Sequence, residues 1–188
     1  MKNEILRRVS LRGIADIMFD RYAGDNKTEL PPEKKMYFAT DGKTMILPSI
    51  NISSFLSAQN TESAPKRFLD SREYKKIASA NLSYVSISPM EIPFTRKGKP
   101  IVFQGFADRS QGGVYIDDRV ARLPKGIPNR KIRPVLAIPW ELSFEMTIFP
   151  NNECSEDMLH DLFVRGGIAI GLGTFRGVYG KFVVQEWA

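Results

Sequence analysis

One cysteine, Cys154, and one histidine, His160, are all that 188 residues contain of the two side chains most used to bind metals. A single cysteine excludes an intramolecular disulfide and a cysteine-based zinc cluster. With one histidine beside it, no ordinary His/Cys metal site can be assembled. Long apolar runs are also missing, and none approaches the ~20 residues that cross a bilayer. Met1 to Arg8 holds no apolar signal core. The expectation is a soluble cytoplasmic protein with no membrane partner. Two nucleotide and acyl-transfer motifs are absent as well. Gly180-Lys181 leads into Phe182 rather than Ser or Thr, so there is no P-loop. No G-x-S-x-G nucleophile elbow occurs. The chain shows no internal repeat and no low-complexity tract.

What is present suits one compact domain over residues 1–188. A hydrophobic fraction of 43% supports a normal core, and 26% charged residues argue against disorder. Lys and Arg number 27 against 21 Asp and Glu, a net charge of +6 that favours a polyanionic partner.

Residues 5–19 alternate as a strand, with Val9, Leu11, Gly13, Ala15, Ile17 and Phe19 on one face. Asp20 to Glu33 is polar with Pro31-Pro32 and reads as a loop. Asp41-Gly42 between apolar runs signals a hairpin. Pro48-Ser49 opens a helix, capped by Ser49 or Asn51, with Ile52, Phe55 and Leu56 inward. A second helix is expected from about Ala64 to Ala80. Its Lys66, Arg67, Arg72, Lys75 and Lys76 form either a solvated face or a binding face, diluted by Asp70 and Glu73. Residues 82–104 read as β structure, with a turn at Lys97–Pro100. A short strand, Val114–Ile116, precedes Asp117-Asp118. Then Arg119, Arg122, Lys125, Arg130, Lys131 and Arg133 follow with no acid among them. This run is either a phosphate track, with salt-dependent binding, or an exposed basic loop. Val135 to Phe149 alternates as one long strand.

The end of the chain organises the rest. Met158, Leu159, Leu162 and Phe163 lie at helical spacing behind a Ser155 cap, and Gly166 is the expected stop. Gly171, Gly173, Gly177 and Gly180 then surround Thr174, Arg176 and Lys181, and Phe182 opens a closing strand. Such glycines serve either close approach to an anion or tight packing. Phe175 and Tyr179 either stack on bases or plug the core. Arg176 holds a phosphate or pairs with a carboxylate inside the loop. Strand, helix and strand make a βαβ unit with parallel strands and room for another between them. The fold class expected is α+β, a ferredoxin-like sheet backed by helices, with an inserted β-hairpin or basic loop at about 93–134.

The segment Leu172-Gly173-Thr174-Phe175-Arg176-Gly177-Val178-Tyr179-Gly180-Lys181-Phe182, behind Gly166-Gly167, resembles the C-terminal glycine-rich loop of the RAMP superfamily. These are the RNA-recognition-motif-like subunits of CRISPR effector complexes and their stand-alone phage or mobile-element relatives. Ile46 to Leu56 is similar to the family's strand-proline-helix element, without the glycine usually found between proline and serine. The resemblance implies a modified RNA-recognition-motif fold on single-stranded nucleic acid, RNA favoured over DNA. It implies protomers or effector subunits assembled along the strand, with a β-hairpin thumb within 93–130. Binding would fall to Gly171, Gly173, Thr174, Arg176, Gly177, Gly180 and Lys181. Arg119, Arg122, Lys125, Arg130, Lys131 and Arg133 would extend the track, with Ser49 and Ser53 beside it. No cofactor is expected.

A protein-interaction or assembly module reusing the fold is the alternative. An RNA endonuclease is the third reading. Its chemistry would need His160, or one of Asp20, Asp41, Asp108, Asp117 and Asp118, and nothing in the sequence selects among them. No catalytic residue is therefore assigned.

Overall fold

The computed structural model describes residues 3–25, 28–59, 61–122 and 128–188, without the side chains of 121 and 122. Strand β1 (Ile5–Gly13) buries Val9, Leu11 and Gly13 and turns Arg8, Ser10 and Arg12 away. It runs antiparallel to β9 (Glu141–Ile148) on one side and to β10 (Phe182–Trp187) on the other. Strands β9 and β10 are therefore parallel, with β1 between them, and α4 (Glu156–Ala169) crosses from one to the other. The first half repeats the plan. After β1, the helices α1 (Ser49–Ser57), α2 (Ala64–Phe68) and α3 (Tyr74–Tyr84) lead to β4 (Val85–Ser88), which pairs with the far side of β9. The order β10-β1-β9-β4 is fourth, first, third, second: the ferredoxin-like arrangement expected from the sequence. Strands β3 (Ile46–Pro48), β5 (Glu91–Arg96) and β6 (Lys99–Pro100) extend this sheet.

A second sheet stands beside it. Strand β2 (Ile17–Met18) pairs with β8 (Pro128–Leu136), and β8 pairs with β7 (Val114–Arg122) from Val114↔Leu136 to Arg122↔Pro128. The core fills the space between the first sheet and the helices. Phe55, Phe163 and Phe182 meet there at centroid separations of 5.5 to 6.4 Å.

Several expectations are corrected, each for a visible reason. Residues 5–19 form two strands, because the chain leaves the first sheet at Gly13 to join the second. A Cβ on Gly13 would stand 2.2 Å from the Trp140 ring, and Trp140 Nε1 donates to the Ala15 carbonyl at 2.9 Å. Val135–Phe149 likewise divides, since β8 and β9 belong to different sheets. Pro139 lacks an N–H, and side chains satisfy the corner. Arg96 donates to the carbonyls of Pro139 (2.7 Å), Gly112 (2.6 Å) and Ala137 (2.9 Å), while Asp16 accepts from the Ile138 amide at 3.1 Å. The helix expected over 64–80 is broken, because the Asp70 carboxylate takes the Arg72 amide and its carbonyl takes that of Tyr74. Residues 82–84 finish α3 rather than opening a strand. Strand β7 extends well past Ile116. Pro48, not Ser49 or Asn51, holds the cap position of α1.

Helix α4 is capped by Ser155, whose Oγ accepts from the Met158 amide at 3.2 Å. It does not stop at Gly166. Gly166 and Gly167 stay helical, giving close approach: Cβ atoms there would lie 2.4 Å from Phe55 Cζ and 2.5 Å from the Phe182 carbonyl oxygen. The left-handed residue that ends the helix is Gly171 (φ 82°), whose amide returns to the Gly166 carbonyl at 3.0 Å.

Candidate nucleic-acid interface

The glycine-rich loop lies between α4 and β10, and most of its backbone is turned inward. Amides of Leu172, Thr174, Gly177 and Gly180 donate to the carbonyls of Gly180, Met18, Ile170 and Asp16, at 2.7 to 3.0 Å. A Cβ on Gly173 would stand 2.5 Å from the Met18 oxygen, and one on Gly180 only 1.9 Å from the Leu172 oxygen. Gly171, Gly173 and Gly180 thus serve tight packing, the alternative the sequence left open. Gly177 differs: a Cβ there meets nothing nearer than the Ala169 oxygen at 4.0 Å, so its surface is open. Outward chemistry at this loop belongs to side chains.

Arg176 is one of them only in part. It is partly buried and donates to the carbonyls of Glu62 (2.6 Å) and Gly173 (3.3 Å), neither of them a carboxylate. Burial lowers its pKa, opposed by the charge of Glu62. Phe175 is held at φ 53°, in the left-handed region that a bulky residue seldom occupies, and its ring is 46% exposed. Thr174 and Lys181 are partly exposed.

The hairpin β7–β8 meets this loop. Arg119 forks onto both oxygens of Asp117 and also donates to the Tyr179 hydroxyl at 2.8 Å. That hydroxyl donates to Asp117 Oδ2 at 2.9 Å. The Arg119 guanidinium lies 5.4 Å from the Phe175 ring centre and 5.6 Å from that of Tyr179, within cation–π reach. Burial pushes the Asp117 carboxyl upward, but the hydrogen bonds from Arg119 and Tyr179 outweigh it and hold the group below the usual range. Burial, then the bond to Asp117, raises the Tyr179 phenol.

The basic run reads differently in space. Asp117 lies opposite Arg133 and Arg119 opposite Lys131, so these four share one face of the hairpin. Arg133 pairs with Asp20 at 2.7 Å, Lys131 with Glu29 at 3.0 Å, and Arg130 with Asp118 on the other face. Buried Lys35 joins the cluster, bonded to Glu29 and, at 2.7 Å, to the Ile132 carbonyl. Arg119, Arg130, Lys131 and Arg133 each face a carboxylate: Asp117 and Asp118 lie beside the run in sequence, while Asp20 and Glu29 reach it from a distant loop. Arg122 closes β7, and Lys125 lies outside the described residues. Ser49 and Ser53 stand on α1, beside Met90, whose carbonyl accepts the Ser49 amide at 2.8 Å. Among the described residues no hydrogen bond or ion pair links them to the loop-hairpin cluster.

Asp16 escapes the sequence, whose alternation over residues 5–19 puts it on the face opposite Val9 and Leu11. It is buried and accepts from Arg109 Nε (2.8 Å) and the Tyr115 hydroxyl (2.7 Å), which roots the hairpin. Burial and then the Asp16 bond push the Tyr115 phenol well above its ordinary value. The alternation runs through Asp16 without a break, so no local signal in the sequence marks it. His160 packs edge-on against Trp187, with ring centres 4.8 Å apart, and Trp187 Nε1 donates to Glu156, which Arg7 also grips. Among the described residues no three His, Cys, Asp or Glu side chains gather as a metal site, and no helix is long and apolar enough to cross a membrane.

The sheet face away from the helices is polar. Across β1 and β9, Arg8 stands opposite Glu145, Ser10 opposite Ser143 and Arg12 opposite Glu141. Neither strand offers that face an aromatic ring, so the stacking platform of an ordinary RNA recognition motif is missing from it.

The architecture is thus α+β: a ferredoxin-like, RNA-recognition-motif-like sheet backed by helices, beside a second sheet built on a long hairpin. It is similar to a chain in the cryo-EM structure of the Type III-B Cmr-beta bound to cognate target RNA, with a TM-score of 0.62 and 13% identity. The alignment covers 99% of this chain and 60% of that one, so this chain spans about three fifths of its structural counterpart. This likeness is one of fold. No protein-family model matches the chain, and no curated protein matches it by sequence.

Proposed function

We propose that the chain is a non-catalytic protein that binds single-stranded nucleic acid, RNA in preference to DNA, as a CRISPR backbone-type subunit assembling along the strand. The observation that carries this reading is the junction of hairpin and glycine loop. There an exposed ring, Phe175, lies against a cation, Arg119, in a loop that Gly177 leaves open to close approach. Base-aromatic stacking with a neighbouring guanidinium is how single strands are held without sequence preference. Phe175 takes a base, Thr174 and Lys181 approach phosphates, and Arg119, held by Asp117, stays against the Phe175 ring. Gly171, Gly173, Gly180 and Arg176 keep the loop in shape. The basic run along the hairpin contributes less, because Arg130, Lys131 and Arg133 are held by Asp118, Glu29 and Asp20. The preference for RNA draws on the structural counterpart, whose complex holds target RNA.

One observation favours a second reading, a module that binds a partner protein. Four hairpin cations are already paired with carboxylates, and the open sheet face sets Arg8 and Arg12 across from Glu145 and Glu141, a charge pattern that a complementary protein surface can match. Fluorescence anisotropy separates the two. Labelled single-stranded RNA, single-stranded DNA and duplex DNA are titrated at low and high salt, with wild type beside Phe175→Ala. Salt-sensitive binding to a single strand, weakened by about 1–3 kcal/mol in the variant, is the expected result. Folded wild type that binds none of the three sinks the proposal in favour of a protein partner.

A further inference from the structure

Among the described side chains of β7 and β8, Arg119, Arg130, Lys131 and Arg133 are each paired with a carboxylate, and a second group of cations lies elsewhere. Helices α2 and α3 and the turn between them carry Lys66, Arg67, Arg72, Lys75 and Lys76, all exposed. Among the described residues, Arg67 alone of these has a carboxylate within 4 Å, Glu62 at 3.7 Å, and the one acid of α2, α3 and their turn besides Asp70 is exposed Glu73 at the start of α3. Asp70 is occupied as a turn residue, its Oδ1 taking the Arg72 amide at 2.8 Å. Helix α3 itself has two lysines and no acid. Its exposed face runs through Lys75, Lys76, Ser79 and Ser83.

This surface is tied to the glycine loop. Arg176 donates to the Glu62 carbonyl at 2.6 Å, just before α2 begins. Arg165 of α4 lies over the Phe68 ring of α2 at 4.3 Å, so α2 is seated on the helix that feeds the loop. Helix α3 packs in turn on α2. The exposed basic face therefore starts where the loop is anchored.

We propose that the α2–α3 face is a second phosphate-binding surface, which takes the backbone of a single-stranded nucleic acid as it leaves the glycine loop. The inference rests on the reading of that loop as a nucleic-acid site. Long, unpaired, mostly lysine side chains act as point charges with no fixed geometry. Their contribution is independent of sequence and dependent on salt, each phosphate contact adding about 0.7 to the slope of log affinity against log salt for a single strand.

The test is a salt series on the triple variant Arg72→Gln, Lys75→Gln, Lys76→Gln beside wild type and Phe175→Ala. The probes are labelled RNA strands of about 5 and about 20 nucleotides, bracketing the footprints of single-strand binders. Thermal melting confirms that the triple variant, altered only at exposed side chains, remains folded. For the long strand, the variant's salt slope is expected to fall by about 2 units and its affinity at low salt by about tenfold. The short strand, seated at the loop, binds both proteins alike, while Phe175→Ala weakens both strands. An unchanged slope on the long strand overturns the second surface and leaves the loop reading standing. Equal weakening of short and long strands also overturns it, since the face would then act as a diffuse attraction. Wild type that binds neither strand removes both readings.

Discussion

The Arg119 guanidinium and the Tyr179 hydroxyl are joined by a 2.8 Å hydrogen bond that links two parts of the chain 60 residues apart. One belongs to the hairpin of the second sheet and the other to the glycine-rich loop that closes the first. Asp117 completes the link by bonding to both side chains. The candidate interface is therefore a seam between two structural units, and its geometry depends on how firmly the seam is held.

Tyr179→Phe removes one hydroxyl from the seam and is expected to cost about 1 kcal/mol. Asp117→Ala also strips Arg119 of its bidentate partner and should cost about 2 kcal/mol. Denaturant unfolding gives both values. Hydrogen exchange in β7 and β8 should quicken in both variants, and unchanged exchange there would show that the seam holds nothing.

The glycines of the loop make a sharper contrast. Gly177→Ala meets only the strain of a positive φ, about 1–2 kcal/mol. Gly180→Ala adds a clash with the Leu172 carbonyl oxygen and must displace backbone, so it should be the more damaging by several kcal/mol or leave the protein insoluble. Equal melting temperatures for the two variants would contradict the packing described for Gly180.

Arg96 satisfies three carbonyls at the corner between the sheets. Arg96→Ala is expected to lower stability by about 3 kcal/mol, because three carbonyls at the corner lose a charged donor at once. Arg96→Lys should rescue little of it, since an ammonium cannot reproduce the guanidinium fork. Full rescue by lysine would reduce the role of Arg96 to its charge.

Acid should loosen the fold in a defined direction. Hydrogen bonding to Lys35, helped by Lys131, holds the Glu29 carboxyl below its ordinary range against the effect of burial, and Arg7 does the same for Glu156. A depressed folded pKa means stability that is present above the unfolded carboxylate value, near 4.3, and lost as pH falls through the folded value. Melting temperature should therefore drop between about pH 4.5 and about pH 2, less steeply in Glu29→Gln than in wild type. Superimposable profiles would remove Glu29 from the account.

The sheet of this fold was legible because its rules are local. Alternation in β1 and β9, the Ser155 cap and the Gly171–Gly180 spacing all appear in short windows of sequence. The corners were not. Nothing near Pro139 announces that Arg96 will satisfy its neighbours, and nothing near Ile14 announces that Asp16 will root a hairpin some hundred residues away. Charge was misleading for the same reason. The run from Arg119 to Arg133 contains no acid, yet Asp20 and Glu29 reach it from a distant loop. Gly166 looked like a helix stop because a glycine that admits a Phe55 ring and one that ends a helix look the same in one dimension.

The central place of β1 also sets a schedule for synthesis. Both of its partners, β9 and β10, lie beyond residue 140. At the usual pace of translation, on the order of 10 s separates the emergence of β1 from that of β9. Through that interval the nascent chain carries Val9 and Leu11 with neither edge of the strand occupied. The ribosome must add well over a hundred residues before this strand finds a neighbour.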